Sequence, residues 1–190
     1  MNSFYTEDEL KDIGLRSYGN NVLISRKASL YSVSEISIGN NVRIDDFCIL
    51  SGKIIIRSNV HISSYSAIFG AKGVEMEEFT GLSPRCTIFS ATDDFSGNFL
   101  ISPTVPKEFT NVTGGKVLIK KYSQIGAGSI IMPNITINEG VAVGAMSFVN
   151  SNLEEWYIYA GVPVKKIKKR EKKCADLARI YLNSINNELY

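Results

Sequence analysis

The chain carries one histidine, His61, in "SNVHISSY". Imidazole has an ordinary pKa near neutrality, so it can take up and return a proton at working pH. Two adjacent carboxylates, Asp93 and Asp94, stand in "FSATDDFSGNF". A solvated aspartate titrates near ~3.9 and is a weak base; burial or a second carboxylate close by raises it. The plainer reading of that stretch is a polar turn closed by Asx hydrogen bonds. A third group is "KKIKKREKK", Lys165 to Lys173, with seven basic residues and one glutamate. Lys166 to Lys173 reads as a solvated helix face, or as a patch attracting anionic ligands or an anionic membrane surface. The cysteines Cys48, Cys86 and Cys174 are far apart, with no CxxC. They predict reduced thiols in a cytoplasmic protein, and no metal site is expected.

The whole chain has a formal net charge of +2 over 190 residues. Outside the basic cluster it is therefore mildly acidic, and no nucleic-acid partner is expected. Its first residues, "MNSFYTEDELKD", are acidic and lack an apolar stretch, so no signal peptide is expected. No apolar run approaches the length of a membrane span.

The elements that must hold these groups announce themselves by a count of six. Ile119, Ile125, Ile131, Ile137, Val143 and Val149 form one set; Ile38, Ile44, Leu50, Ile56, Ile62 and Ile68 form another. Met76, Leu82 and Ile88 make a third, and Tyr18, Ile24 and Leu30 a weaker first. Six is neither the helical period nor the simple strand period. It is a repeat, in which each hexad is a short strand and a turn and three hexads close one triangular coil. The apolar residue points inward. Four places on stands a compact residue such as Val42, Cys48, Val60, Ser66, Cys86 or Ser129, which fills a corner. Cys48 and Cys86 therefore read as core rather than as nucleophiles. Gly and Asn in "GNNV" suit the positive φ of tight turns.

The breaks in the count fall together. Leu30 to Ile38 and Ile68 to Met76 are each eight residues, and Ile88 to Ile119 is 31. With coils starting at 18, 38, 56, 76, 119 and 137, every insertion lands after the third strand of a coil. One edge of the prism should carry all the extra chain, including a protruding loop near 90–117. A loop of that length in a compact domain is usually functional. The spacing thus predicts a mainly β single domain, 1–190, with a helical cap over 1–17, about six coils over 18–154, and an extended segment and helix over 155–190. Thr6 and Glu9 form a capping box for a short N-terminal helix. From about Lys166 the composition turns helical, and Cys174, Leu177, Ala178, Tyr181 and Ile185 form an apolar stripe that packs on the prism or a neighbouring copy. Trp156, Tyr157 and Tyr159 are expected to cover the end of the prism.

The hexads, the interrupting loop and "IYAGVPVKKIKK" after the last coil resemble the hexapeptide-repeat acyltransferases, most closely the sugar O-acetyltransferases of the galactoside, maltose and polysaccharide-biosynthesis group. The resemblance covers about residues 14 to 170. It implies a left-handed parallel β-helix, a homotrimer, acetyl-CoA as co-substrate, a sugar or saccharide acceptor, and active sites between adjacent copies. It also implies a base within reach of the attacking group and donors for the developing oxyanion. Relatives carry a histidine in the loop. This chain has Asp93 and Asp94 there, with Asp93 the better match, and its own histidine lies elsewhere. His61 is expected to face outward as the base, with Asp93 or Asp94 orienting it or binding the acceptor. By the same resemblance Gly126, Ala127, Gly144, Ala145, Asn150 and Lys165 fall along coenzyme A, and Lys166 opens the basic run beside it. N-acetylation of an amino sugar, possibly nucleotide-linked, is the rival reaction, since an amine needs less help from a base. A non-catalytic scaffold is the rival class. A zinc carbonic anhydrase needs three histidines between copies, which one His per chain cannot supply.

Overall fold

A computed structural model describes residues 3–187. The backbone is a parallel β-solenoid of triangular section, consistent with the left-handed β-helix. Its first face stacks Tyr18, Ile38, Ile56, Met76, Ile119 and Ile137 in direct register. The second aligns Ile24, Ile44, Ile62, Leu82, Ile125, Val143 and Tyr159. The third aligns Leu30, Leu50, Ile68, Ile88, Ile131 and Val149. Nearly all of these side chains are buried, and Leu30 and Tyr18 pack at the margin of the core. Truncating one of the fully enclosed isoleucines to alanine would cost about 2–5 kcal/mol, since the stacked turns cannot collapse into the void.

The compact residues at the inner corners are buried as the hexad pattern requires, from Val22 to Ser147. Their hydroxyls are satisfied by the next turn: Ser123 Oγ donates to Asn138 O at 2.9 Å and Ser129 Oγ to Gly144 O at 3.1 Å. Burial pushes the Cys48 and Cys86 thiols up to about 11, so neither is a nucleophile near neutral pH.

One feature of the corners was not legible. The residue before each compact position adopts positive φ, and only some of these residues are Asn or Gly. Phe47, Tyr65, Phe79, Arg85, Tyr122, Met146 and Trp156 take the same left-handed conformation. They stack along the edges instead. Asn21, Asn41 and Asn59 form a hydrogen-bonded ladder at the first edge, and Phe79, Tyr122 and Trp156 continue it as an aromatic one. Phe47 and Tyr65 stack at the second edge, 4.9 Å between ring centres. These contacts offset the backbone strain that a bulky residue incurs there.

All three insertions fall at the third edge, where the chain passes from the third face to the first. The first holds a 3₁₀ turn, Val33–Glu35, and the longest opens with Ala91–Thr92 paired antiparallel to Thr113–Gly114. The loop beyond this ribbon exposes Phe95, Phe99, Leu100, Ile101 and Phe109.

The flanks correct three expectations. The solenoid has about seven turns, not six, because Leu153 pairs with Ile137 and Tyr159 with Val143. Trp156, Tyr157 and Tyr159 therefore belong to the last turn rather than following it. The lysines from 165 to 169 are not helical: they form a strand antiparallel to Tyr157–Ala160. That strand covers the exposed edge of the second-face sheet. Arg170 then donates from Nη1 to the carbonyls of Tyr122 and Gly140, tying the arm to the first edge. Helix α2, Lys173–Asn187, lies over that edge, with Cys174, Leu177, Ala178 and Tyr181 facing Phe79 and Tyr122 across a cavity of about 350 Å³. The N-terminal helix α1, Glu7–Ile13, has the expected Thr6–Glu9 capping box. No described helix is long and apolar enough to cross a membrane.

Candidate active site

His61 sits at the centre of the strand Val60–Ile62 on the second face. Its neighbours Val60 and Ile62 are buried, so the alternation of a strand turns the imidazole outward, half exposed. The turn below supplies its partner. His61 Nε2 lies 2.8 Å from Asp45 Oδ2, and Arg43 Nε donates to Asp45 Oδ1 at 2.7 Å. Asp45 is only 14% exposed at the side chain. Burial pushes its carboxyl up, but the hydrogen bonds from Arg43 and His61 outweigh that and hold it below the ordinary carboxylate range. The carboxylate that meets His61 is therefore Asp45, and neither Asp93 nor Asp94 hydrogen-bonds to it. The signal was in the numbering, because residues 18 apart in consecutive coils are neighbours, and Arg43 pairs with His61 across the strands.

Around this cluster runs a shallow groove of about 420 Å³, whose polar lining includes Asn41, Asn59, Ser63, Thr80 and Gln124. Gln124 Nε2 also donates to Ser83 Oγ at 3.1 Å, so Ser83 borders the same groove one turn up.

The aspartates of the loop lie elsewhere. Asp93 and Asp94 follow the strand Ala91–Thr92 at the third edge, and the second face is the side of the triangle opposite that edge. One chain by itself does not bring them to His61. They also differ from each other. Asp93 is exposed. Asp94 accepts from Ser96 Oγ at 2.9 Å and from the Gly97 amide at 2.9 Å. Desolvation raises the Asp94 carboxyl, but these hydrogen bonds prevail and its pKa is lowered. Asp94 thus closes an Asx-type turn.

The residues matched to coenzyme A gather at the second edge in part. Ala127 and Ala145 line a groove of about 450 Å³ together with Tyr65, Arg85, Gly128 and Met146. Gly126 and Gly144 stand beside it for a reason internal to the fold. A Cβ on Gly126 would fall 2.5 Å from the Ala145 nitrogen, and one on Gly144 would fall 3.0 Å from the Ala160 Cβ. Asn150 and Lys165 are exposed at the top of the prism. Lys166 is committed to its own chain: Nζ is 2.6 Å from Glu154 Oε1 and 4.1 Å from the centre of the Tyr157 ring. Among the described residues no cluster of His, Cys, Asp and Glu could hold a metal ion.

A repeat-built prism with a polar groove on one face and a long loop on the opposite edge defines the hexapeptide-repeat class of transferases. Comparison with known proteins narrows it. No family model matches the chain. The chain is 42% identical over 182 residues to dTDP-4-amino-4,6-dideoxy-D-glucose acyltransferase of Escherichia coli, covering 94% of this chain and 95% of that one. Among solved structures it is similar to AntD, an N-acyltransferase from Bacillus cereus, in complex with dTDP and 3-hydroxybutyryl-CoA. That match has a TM-score of 0.95 and 57% identity, and covers 98% of this chain and 100% of the other. The AntD series includes variants at one aspartate and at one serine. A maltose O-acetyltransferase from Clostridium difficile shares the fold at 21% identity, with a TM-score of 0.56 over 87% of this chain and 75% of that one. The chain belongs to the sugar acyltransferases of the hexapeptide-repeat β-helix type. It is an acyltransferase acting on sugars.

Proposed function

We propose that this protein transfers an acyl group from coenzyme A, acetyl-CoA among the donors, to the amino group of a dTDP-linked 4-amino-4,6-dideoxy sugar. The observation that carries this reading is the 57% identity, over 97% of the chain, to an N-acyltransferase solved with dTDP-4-amino-4,6-dideoxyglucose and coenzyme A. In this reaction the amine nitrogen attacks the thioester carbonyl, a C–N bond forms, the C–S bond breaks, and the nitrogen sheds a proton. Coenzyme A leaves as its thiol.

The site we assign is built from two copies. In AntD the varied serine and aspartate are ten positions apart. Ser83 and Asp93 stand at the same separation in this chain. Ser83 borders the His61 groove, whereas Asp93 leaves from the opposite edge. A centre that uses both takes the groove from one copy and the loop from the next, which supports a homotrimer of the kind expected. In that centre His61 takes the proton, Asp93 and Ser83 bind the acceptor amine, and Asp94 shapes the loop. Ala127 and Ala145, with Gly126 and Gly144 beside them, form the track for the pantetheine arm. Asn150 and Lys165 lie toward the nucleotide end, and Lys166 contributes charge there only at longer range. The free cysteines Cys48, Cys86 and Cys174 support a cytoplasmic enzyme.

The test is acceptor profiling with acetyl-CoA and 3-hydroxybutyryl-CoA, following thiol release. The dTDP-linked 4-amino sugar should turn over, and maltose, galactosides and the dTDP sugar bearing a 4-hydroxyl should not. Turnover of the hydroxyl acceptors with the amino sugar inert would replace N- by O-acylation.

A further inference from the structure

We infer that Asp45, held by Arg43, is a positioning residue that fixes His61 as the Nε2–H tautomer and leaves Nδ1 as the proton acceptor in acyl transfer. The inference rests on the reading of His61 as the base and adds which nitrogen works and what aims it.

The geometry carries it. Asp45 Oδ2 is 2.8 Å from Nε2, and an ionised carboxylate only accepts hydrogen bonds, so that nitrogen must donate. A neutral imidazole with its proton on Nε2 has its lone pair on Nδ1. Arg43 serves in turn to hold the carboxylate. Its Nε occupies Oδ1 at 2.7 Å, and its guanidinium lies 5.3 Å from the centre of the Phe4 ring, which fixes its direction. The three residues come from adjacent turns of a rigid solenoid, and Ile44 and Ile62 beneath them are wholly buried. The cluster is therefore held by strand register rather than by a loop. Arg43 and Asp45 are the charged groups that face the imidazole from the turn below. From the turn above, Thr80 and Gly81 bring no charge, and neither does Gln124 from the turn beyond it.

A cluster of this form has an alternative reading as a surface ion pair of small worth. Two features argue against it. The Asp45 side chain is only 14% exposed, and the imidazole opens onto the groove that Ser83 borders.

With a single histidine per chain the test needs no resonance assignment. Untagged protein labelled with 15N-histidine gives two ring-nitrogen signals, whose shifts identify the tautomer directly at a pH where the ring is neutral. The wild type should show the Nε2–H form. Asp45→Asn should shift the signals toward the other tautomer or a mixture, because an amide can donate to Nε2 as well as accept from it. It should lower kcat by at least about 10-fold with KM for the acyl-CoA unchanged, and Asp45→Glu should recover part of both effects. Circular dichroism melting confirms that the variants keep the solenoid. A wild-type ring in the Nδ1–H form, or an Asp45→Asn variant with unchanged shifts and turnover, overturns the inference. The reading beneath it fails separately: if His61→Ala keeps wild-type turnover and the acidic limb of its pH profile, His61 is not the base, whatever tautomer the nitrogen shifts report.

Discussion

Gly126 and Ala145 meet across consecutive turns so closely that a Cβ on the glycine would stand 2.5 Å from the alanine nitrogen. Both fall on the track assigned to coenzyme A, yet their contact is first a packing contact. The glycine is required because the next turn of backbone occupies the space. Gly126→Ala should therefore lower stability by about 1–3 kcal/mol, through overpacking, before it affects any ligand. Thermal melting in the absence of ligand checks this. An unchanged melting temperature with weakened coenzyme A binding would show that the glycine serves the ligand alone.

The two lysines at the start of the basic strand should separate cleanly. Lys166 is paired with Glu154 and lies on the Tyr157 ring, whereas Lys165 is exposed beside it. Lys165→Ala should raise KM for acyl-CoA several-fold, an effect that weakens with added salt as expected for an exposed charge facing phosphate. Lys166→Ala should leave KM within about 2-fold and change stability by less than about 1 kcal/mol, the usual worth of an exposed ion pair. Steady-state kinetics at two salt concentrations read both.

Much of this architecture could be read directly from residue spacing, and the reason is mechanical. A solenoid repeats one local rule, so the apolar column through Ile38, Ile56 and Met76 and the placement of every insertion at one edge follow from counting. The seventh turn escaped the count because Leu153 lies off the six-residue step and Tyr159 replaces an aliphatic residue. The lysine strand escaped because its chemistry resembles a solvated helix, while its structure is decided by the sheet edge it covers. The site was legible only in part. His61 and the loop aspartates were singled out by type, but Asp45 acts through a neighbour a full coil away. Asp93 and Asp94 are adjacent in sequence, yet Asp93 is exposed while Asp94 accepts hydrogen bonds from the Ser96 hydroxyl and the Gly97 amide, a difference set by how the loop folds.

The N-terminal cap carries a pH dependence whose sign is fixed. Glu9 is hydrogen-bonded by Arg26 and by the backbone and side chain of Thr6, which lower its carboxyl to about 2 from an ordinary value of 4.5. A carboxylate with a depressed folded pKa adds stability above its ordinary pKa and loses it as the pH falls through the folded value. The difference in melting temperature between wild type and Glu9→Gln should therefore be largest above about pH 4.5 and close progressively toward pH 2. A difference that is constant over that range would mean that the Arg26 and Thr6 contacts do not hold α1 in solution.

The two aspartates of the loop should fail in different ways. Asp94 accepts from Ser96 and Gly97, so Asp94→Ala removes the turn that shapes the loop and should raise KM for the acceptor. Asp93 is exposed and free of such duties, so Asp93→Asn should lower kcat for the amino-sugar acceptor by about 10-fold or more while leaving acyl-CoA binding intact. Isothermal calorimetry with coenzyme A and initial rates over a range of acceptor concentration distinguish the two. Equal and small effects from both would remove the loop from the site.

The placement of His61 and Asp93 on opposite sides of one prism leads to the most discriminating experiment. A site needing both is shared between copies, so neither residue has to come from the same polypeptide as the other. His61→Ala and Asp93→Asn proteins, each impaired alone, should regain activity when coexpressed and purified together through different tags. Mixed assemblies contain some sites with an intact groove from one chain and an intact loop from the next. The double variant carried on one chain and coexpressed with itself should regain nothing. Restoration requires that the assembly form and that the groove and loop face each other across it. If the mixed preparation shows only the average of the two impaired activities while sedimentation confirms mixed oligomers, the centre lies within single chains. Groove and loop would then have to be separated into distinct roles.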